Sequence, residues 1–172
     1  MSVIATINIG ANGATTLGGQ SKPLSTPADR ARFLALHHSA GSIILGRNSL
    51  QSESYQGSKA KLFVFTRKRI SSDRDSETIT YIDSSHGLKG AMQKVIEEGA
   101  KPILVEAGPT LIFALVKVGC IDELYLSISP IDGDGNFLSI SKLLKSFEVE
   151  SEETVESTRL LKCRYKSDSP NS

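Results

Sequence analysis

Little in this sequence points to a metal, a membrane or a nucleic acid. Two cysteines occur in 172 residues, Cys120 and Cys163, with no metal-ligand spacing. Both read as structural thiols of a reducing compartment. No signal peptide opens the chain and no apolar run approaches the about 20 residues a membrane helix needs, so a cytoplasmic protein without membrane contact is expected. Twenty Lys and Arg stand against 19 Asp and Glu, a net charge of +1. A nucleic-acid module is normally far more basic, and no such partner is expected. The glycine-rich run from Gly10 to Gly19 lacks Gly-x-Gly-x-x-Gly, which removes the main support for a Rossmann domain. Gly41 and Gly46 imitate the ends of a Walker loop, but strand-like residues lie between them and Arg47-Asn48 replaces Lys-Ser/Thr. Asp132 to Asn136 begins like a calcium loop and then fails, because Phe137 takes the glycine position and Leu143 that of the bidentate glutamate. No metal is expected.

What is present centres on Pro102 to Pro130. Ile103 to Val105 is an apolar run suited to a buried strand, and Glu106 puts a carboxylate at its end. Gly108 lets another molecule approach the backbone, and Pro109 suits the first helical position, where its missing N–H costs nothing. Leu111, Ile112, Leu115, Val116 and Val118 keep helical spacing until Gly119 supplies the stop, and Glu123 to Ile128 resumes as a strand. A strand, helix, strand unit with free N–H groups at its turn suits an anion such as a dinucleotide pyrophosphate; an ordinary connection with an empty turn is the plain alternative.

The length suits one domain, assigned to residues 1–165 with a frayed tail over 166–172. Val3 to Ile7 reads as a first strand. Ser25-Thr26-Pro27 opens a helix that carries Phe33, Leu34 and Leu36 up to His37-His38. Ser42 to Leu45 and Leu62 to Phe65 are further strands, followed by turns at Gly46 to Ser49 and Thr66 to Arg69. Thr78 to Ile82 alternates as a strand, Ser84 or Ser85 caps a helix over about Gly87 to Glu98, and Phe147 to Val155 with Thr158 to Tyr165 forms an antiparallel pair at the sheet edge. The acidic stretch Glu148 to Glu156 reads as a solvated strand face.

Glu106-Ala107-Gly108-Pro109-Thr110-Leu111, followed by Gly119-Cys120-Ile121-Asp122-Glu123-Leu124 and then Pro130, Gly133 and Gly135, resembles the pyrimidine reductase domain of riboflavin biosynthesis. The resemblance covers roughly residues 3 to 138. It implies an α/β dihydrofolate-reductase-like fold with a mostly parallel sheet, NADPH as cofactor, a phosphorylated small-molecule substrate, and a homodimer. Reduction at the ribosyl carbon of a ribosylaminopyrimidine phosphate is the activity implied.

The cofactor candidates carried over are Gly46, Arg47, Ser49 and Glu53, then Thr66 and Arg67, then Gly108, Pro109, Thr110 and Leu111, with Gly133 and Gly135 toward the nicotinamide end. The cations at Arg67 to Arg69 suit the 2′-phosphate of NADPH. Ser21, His37 and Glu106 are the substrate-side candidates, with Glu106 orienting the sugar hydroxyls as the catalytic choice and His37 standing where the family has a phosphate-facing arginine. The chain departs from the pattern at Gly10-Ala11-Asn12-Gly13, where the family reads Ser-x-Asp-Gly, at His37, at Ala107, and in a shortened segment over 54–60. These departures keep two alternatives open: a reductase of the same fold for another substrate such as a pterin, and a non-catalytic NADPH-binding protein. The deaminase signature His-x-Glu with Pro-Cys-x-x-Cys is missing.

Overall fold

A computed structural model describes residues 2–52, 55, 57–68 and 77–167. Eight strands form one sheet: β1 (Val3–Ile9), β2 (Ser42–Gly46), β3 (Lys61–Thr66), β4 (Ile79–Asp83), β5 (Ile103–Glu106), β6 (Glu123–Ile128), β7 (Phe147–Val155) and β8 (Thr158–Tyr165). Their order is β4-β3-β2-β5-β1-β6-β8-β7. The first six run parallel, and β8 and β7 are added antiparallel. This is the α/β architecture expected, including the C-terminal antiparallel pair.

Five helices complete the described residues: α1 (Pro27–Ser39), α2 (Arg47–Ser52), α3 (Leu88–Glu98), α4 (Pro109–Lys117) and α5 (Ile140–Leu144). The parallel strands are apolar on both faces, as strands covered by crossover helices must be. One face packs Ile44, Phe63, Val105 and Leu126 with Met92 and Val95 of α3 and Ile112 and Leu115 of α4. The other packs Ile43, Leu45, Val64 and Leu104 with Leu36 of α1 and Leu50 of α2.

α4 starts and stops where its sequence says it should. Pro109 takes the first turn, and Gly119 at φ 70° ends the helix in the left-handed region that other residues avoid. α3 differs from expectation at its start. Gly87, at φ 123°, holds the cap position without a side-chain bond, because Ser84 instead donates to Thr66 O at 3.1 Å while the Ser85 N–H goes to Asp83. Ser84 thereby ties the end of β4 to that of β3. The segment after Gly46 differs too, since α2 begins there at once, and α5 has no counterpart in the sequence reading. Lys166, expected in the tail, is bonded through its N–H to Ser146 O at 2.9 Å. Residues 168–172 lie outside the described set.

Candidate active site

Connections leave β1 and β5 in opposite directions. β1 passes through α1 to β2 on one side, and β5 passes through α4 to β6 on the other. The boundary between β5 and β1 is therefore a topological switch point, whose carboxyl-end crevice is where ligands of open α/β sheets bind.

Glu106 ends β5 at this crevice and is buried, 6% exposed. A buried carboxylate needs partners. His37, in the last turn of α1, places Nδ1 2.7 Å from Oε1, and the Tyr55 hydroxyl donates to Oε2 at 3.1 Å. An ionised carboxylate can only accept, which puts a hydrogen on Nδ1. The rings of Phe33 and Tyr55 flank the imidazole, with centroids 5.8 and 6.0 Å from its own. α1, 13 residues long, starts at Thr26, which caps it by accepting from the Asp29 N–H, and so brings His37 to Glu106 in its last turn.

Two glycines stand on either side of Glu106. At Gly46, which ends β2, and at Gly108, which precedes α4, an added Cβ would meet nothing within 4 Å. Neither has the positive φ that demands glycine. Gly41, Gly99 and Gly133, by contrast, face atoms within 3 Å of such a Cβ. Internal packing therefore explains those three, while Gly46 and Gly108 border open space at strand ends. At α4 no side chain caps the N-terminus, so the Thr110 and Leu111 N–H groups retain the orphan character of a first helical turn.

The remaining candidates divide clearly. Thr66 is buried, and its hydroxyl is occupied within its own turn, accepting from the Lys68 N–H and donating to Lys68 O. Arg67 and Arg47 are exposed and Ser49 is half-buried. Ser21 is exposed and opens a 3-10 turn over Lys22–Leu24. Glu53 and Arg69 lie outside the described residues. Asn12, at the family's aspartate position, serves the fold: its Nδ2 donates to Gly133 O, while its Oδ1 accepts from the Gly133 and Ala14 N–H groups. Gly133 and Gly135 are needed where they are, because a Cβ would strike Thr16 or Ala14 across the two joined loops. The rejected calcium loop is part of this junction, with Asp134 accepting from the Gly18 N–H. No group of metal-binding side chains is found among the described residues.

Sequence reasoning missed Tyr55, which bonds Glu106. Nothing in the chain flags Tyr55.

A separate cavity of about 300 Å³ lies between α1 and β6 to β8, lined by Arg32, Lys162, Glu152 and Glu153 with Tyr125 at its wall. Its charges balance, so it selects no ion of either sign.

Residues 51–133 match the RibD C-terminal domain family. That stretch includes Tyr55, Arg67, Glu106 and Gly108, and it leaves out Asn8, His37 and Gly46. No curated protein matches the chain. Among solved structures, a protein from a Shewanella species assigned to riboflavin biosynthesis is 19% identical with a TM-score of 0.72, over 96% of this chain and 99% of that one. A pyrimidine reductase-like protein from Corynebacterium diphtheriae is 17% identical with a TM-score of 0.71, over 97% and 92%. A Thermotoga maritima diaminohydroxyphosphoribosylaminopyrimidine deaminase/5-amino-6-(5-phosphoribosylamino)uracil reductase is 15% identical with a TM-score of 0.73, over 96% of this chain and 56% of that one. These likenesses establish the shared fold. Among the described residues no helix is long and apolar enough to cross a membrane.

Proposed function

We propose that this protein is an NADPH-dependent reductase of the RibD type, which delivers hydride to the ribosyl carbon of 5-amino-6-(5-phosphoribosylamino)uracil and opens the sugar to a ribitylamino product. The observation that carries this reading is the pair of open glycine turns, Gly46 and Gly108, on either side of the buried Glu106. They leave room for a long phosphate-bearing ligand across the carboxyl edge of the sheet. The residues that would hold it are Gly46, Arg47 and Ser49, then Thr66 and Arg67, then Gly108 to Leu111. Bound there, NADPH supplies the hydride.

The chain's own work is alignment and the exclusion of water. Glu106 accepts from the sugar hydroxyls, held in place by His37 and Tyr55. Because Nδ1 is given to Glu106, Nε2 is the ring nitrogen left to meet a substrate. The same reading makes the protein a homodimer, which light scattering tests.

One observation favours a second reading. His37 is turned onto Glu106, where the first reading asks for a cation on the substrate phosphate, and a reductase of an unphosphorylated acceptor such as a pterin needs no such cation. NADPH oxidation followed by absorbance, with the phosphoribosylaminouracil and with pterins as acceptors, separates the two. Oxidation with the pyrimidine supports the first. Binding without oxidation by either acceptor leaves a non-catalytic NADPH-binding protein and removes both.

A further inference from the structure

Both oxygens of Glu106 are engaged, Oε1 by His37 and Oε2 by Tyr55, and its side chain is only 4% exposed. What the group turns outward is the far nitrogen of the imidazole. The His37 side chain is 20% exposed, and Nε2 has no partner among the described residues. The enclosed unpaired side-chain atoms found there belong to Asn8 and Ser42, so Nε2 opens to solvent. The titratable groups around the ring are Glu106 of β5, Tyr55, and on α1 itself His38, whose ring centroid lies 6.1 Å away. A reduction that opens a sugar needs a proton as well as a hydride, because the departing ring oxygen keeps the electron pair of its bond to carbon. The other donors near the crevice are committed: the Tyr55 hydroxyl to Glu106, the Asn12 amide to Gly133 O, the Thr66 hydroxyl to Lys68 O. Arg47 and Arg67 do not release their protons. His37 is the side chain placed to give one.

We infer, resting on the reductase reading of this site, that His37 is the general acid of the reaction and gives its Nε2 proton to the ring oxygen of the ribose as the sugar opens. The bond between the ribosyl carbon and that oxygen breaks, its electron pair goes to the oxygen, and the oxygen takes the proton. The lone pair of the attached nitrogen closes a carbon–nitrogen double bond. The same carbon then accepts the hydride of NADPH, and the double-bond electrons return to nitrogen. One proton and one hydride are consumed, and His37 regains its proton from water. The ring need not turn in this cycle: charged, it donates from both nitrogens, and neutral, it keeps Nδ1–H on Glu106. Glu106 is the counter-charge of the loaded ring and holds its orientation, as a third group orients the base in a catalytic triad.

His37→Asn of the full chain separates holding Glu106 from giving a proton, because the asparagine amide stands in for Nδ1–H and nothing replaces Nε2. NADPH oxidation with the phosphoribosylaminouracil should fall by about 10²–10⁴-fold in kcat, with NADPH affinity unchanged. In His37→Ala, added imidazoles of increasing acidity, compared in their protonated forms, should restore the rate increasingly, which a proton donor requires and a packing role does not. A readout free of NADPH comes from NMR of the imidazole itself. The three histidines are told apart with His38→Gln and His86→Gln, both at exposed positions. The His37 ring signals should shift when the ribitylamino product is added. A kcat for His37→Asn equal to wild type overturns the inference while the reductase reading stands. So does a rescue that is missing or indifferent to acidity, and so do His37 signals unmoved at saturating product. If the wild type oxidises no NADPH with this substrate, the reductase reading fails and the inference falls with it.

Discussion

At the scale of single residues, the site is defined by side chains and by the space beside two glycines. Gly108 has an extended backbone, φ −69° and ψ 171°, and nothing within 4 Å of an added Cβ. Gly108→Val should therefore fold with stability within about 0.5 kcal/mol of wild type. It should lose NADPH affinity by about ten-fold or more, because the new side chain fills the approach to the α4 N-terminus. Equal affinities by fluorescence titration remove that turn from the site. Arg67 is exposed beside the occupied Thr66 turn. If it holds the 2′-phosphate, Arg67→Ala loses a charge-assisted contact of about 1.5–3 kcal/mol, and the preference for NADPH over NADH shrinks by roughly ten- to a hundred-fold. An unchanged preference assigns that phosphate to another cation. Glu106 and the turn around Gly108 were legible in the sequence because both belong to one local strand-to-helix pattern.

Among the elements, α1 has the widest reach. It carries His37 to Glu106 at one end, and its Thr26 cap is bonded at the other, accepting from the Asp29 N–H at 3.3 Å and from the buried Thr158 hydroxyl of β8 at 2.7 Å. Thr26→Ala should cost about 2 kcal/mol, since it removes a helix cap and strands a buried hydroxyl. A urea midpoint equal to wild type would show the cap to be idle. β7 shows what an exposed element needs. Phe147 is buried and the residues after it are exposed, with acidic side chains paired to β8: Glu152 to Arg159, and Glu150 to Lys162 and Arg164. The acidic stretch is thus a solvated face, as its composition indicated, and its charges discourage edge pairing. The start of α3 was misjudged because serine side chains were given to the nearest helix. The Ser84 side chain serves the end of β3 instead, 18 residues back and outside any local pattern.

For the molecule as a whole, burial sets a pH limit through the two thiols. Burial pushes both Cys120 and Cys163 above the ordinary thiol pKa, and for Cys163 the nearby Arg32 opposes this without reversing it. The native protein keeps these protons where the unfolded chain, with thiol pKa near about 8.5, has released them. Their contribution to stability is complete below that pH and is lost as pH rises through the raised native values. The urea midpoint should accordingly decline above about pH 8.5, and the decline should be shallower in Cys120→Ala/Cys163→Ala. An equal slope in the two proteins assigns the loss to other groups. Cys163, which is 0% exposed, should also resist thiol reagents until the protein unfolds.

The sequence by itself determined the unit from β5 through α4 to β6 and the antiparallel pair at the sheet edge. Each rests on signals a few residues apart: an apolar run, a proline at a helix start, a glycine in the left-handed region, alternation along a strand. The tertiary structure alone decided what those elements hold between them. His37 and Tyr55 come to Glu106 from 69 and 51 residues away, and only the β1-α1-β2 crossover beside β5 makes them neighbours. Asn12 is bound to a loop 121 residues distant. The amide of Asn8 is left without a partner by the packing around β1, which no stretch of the chain carries alone.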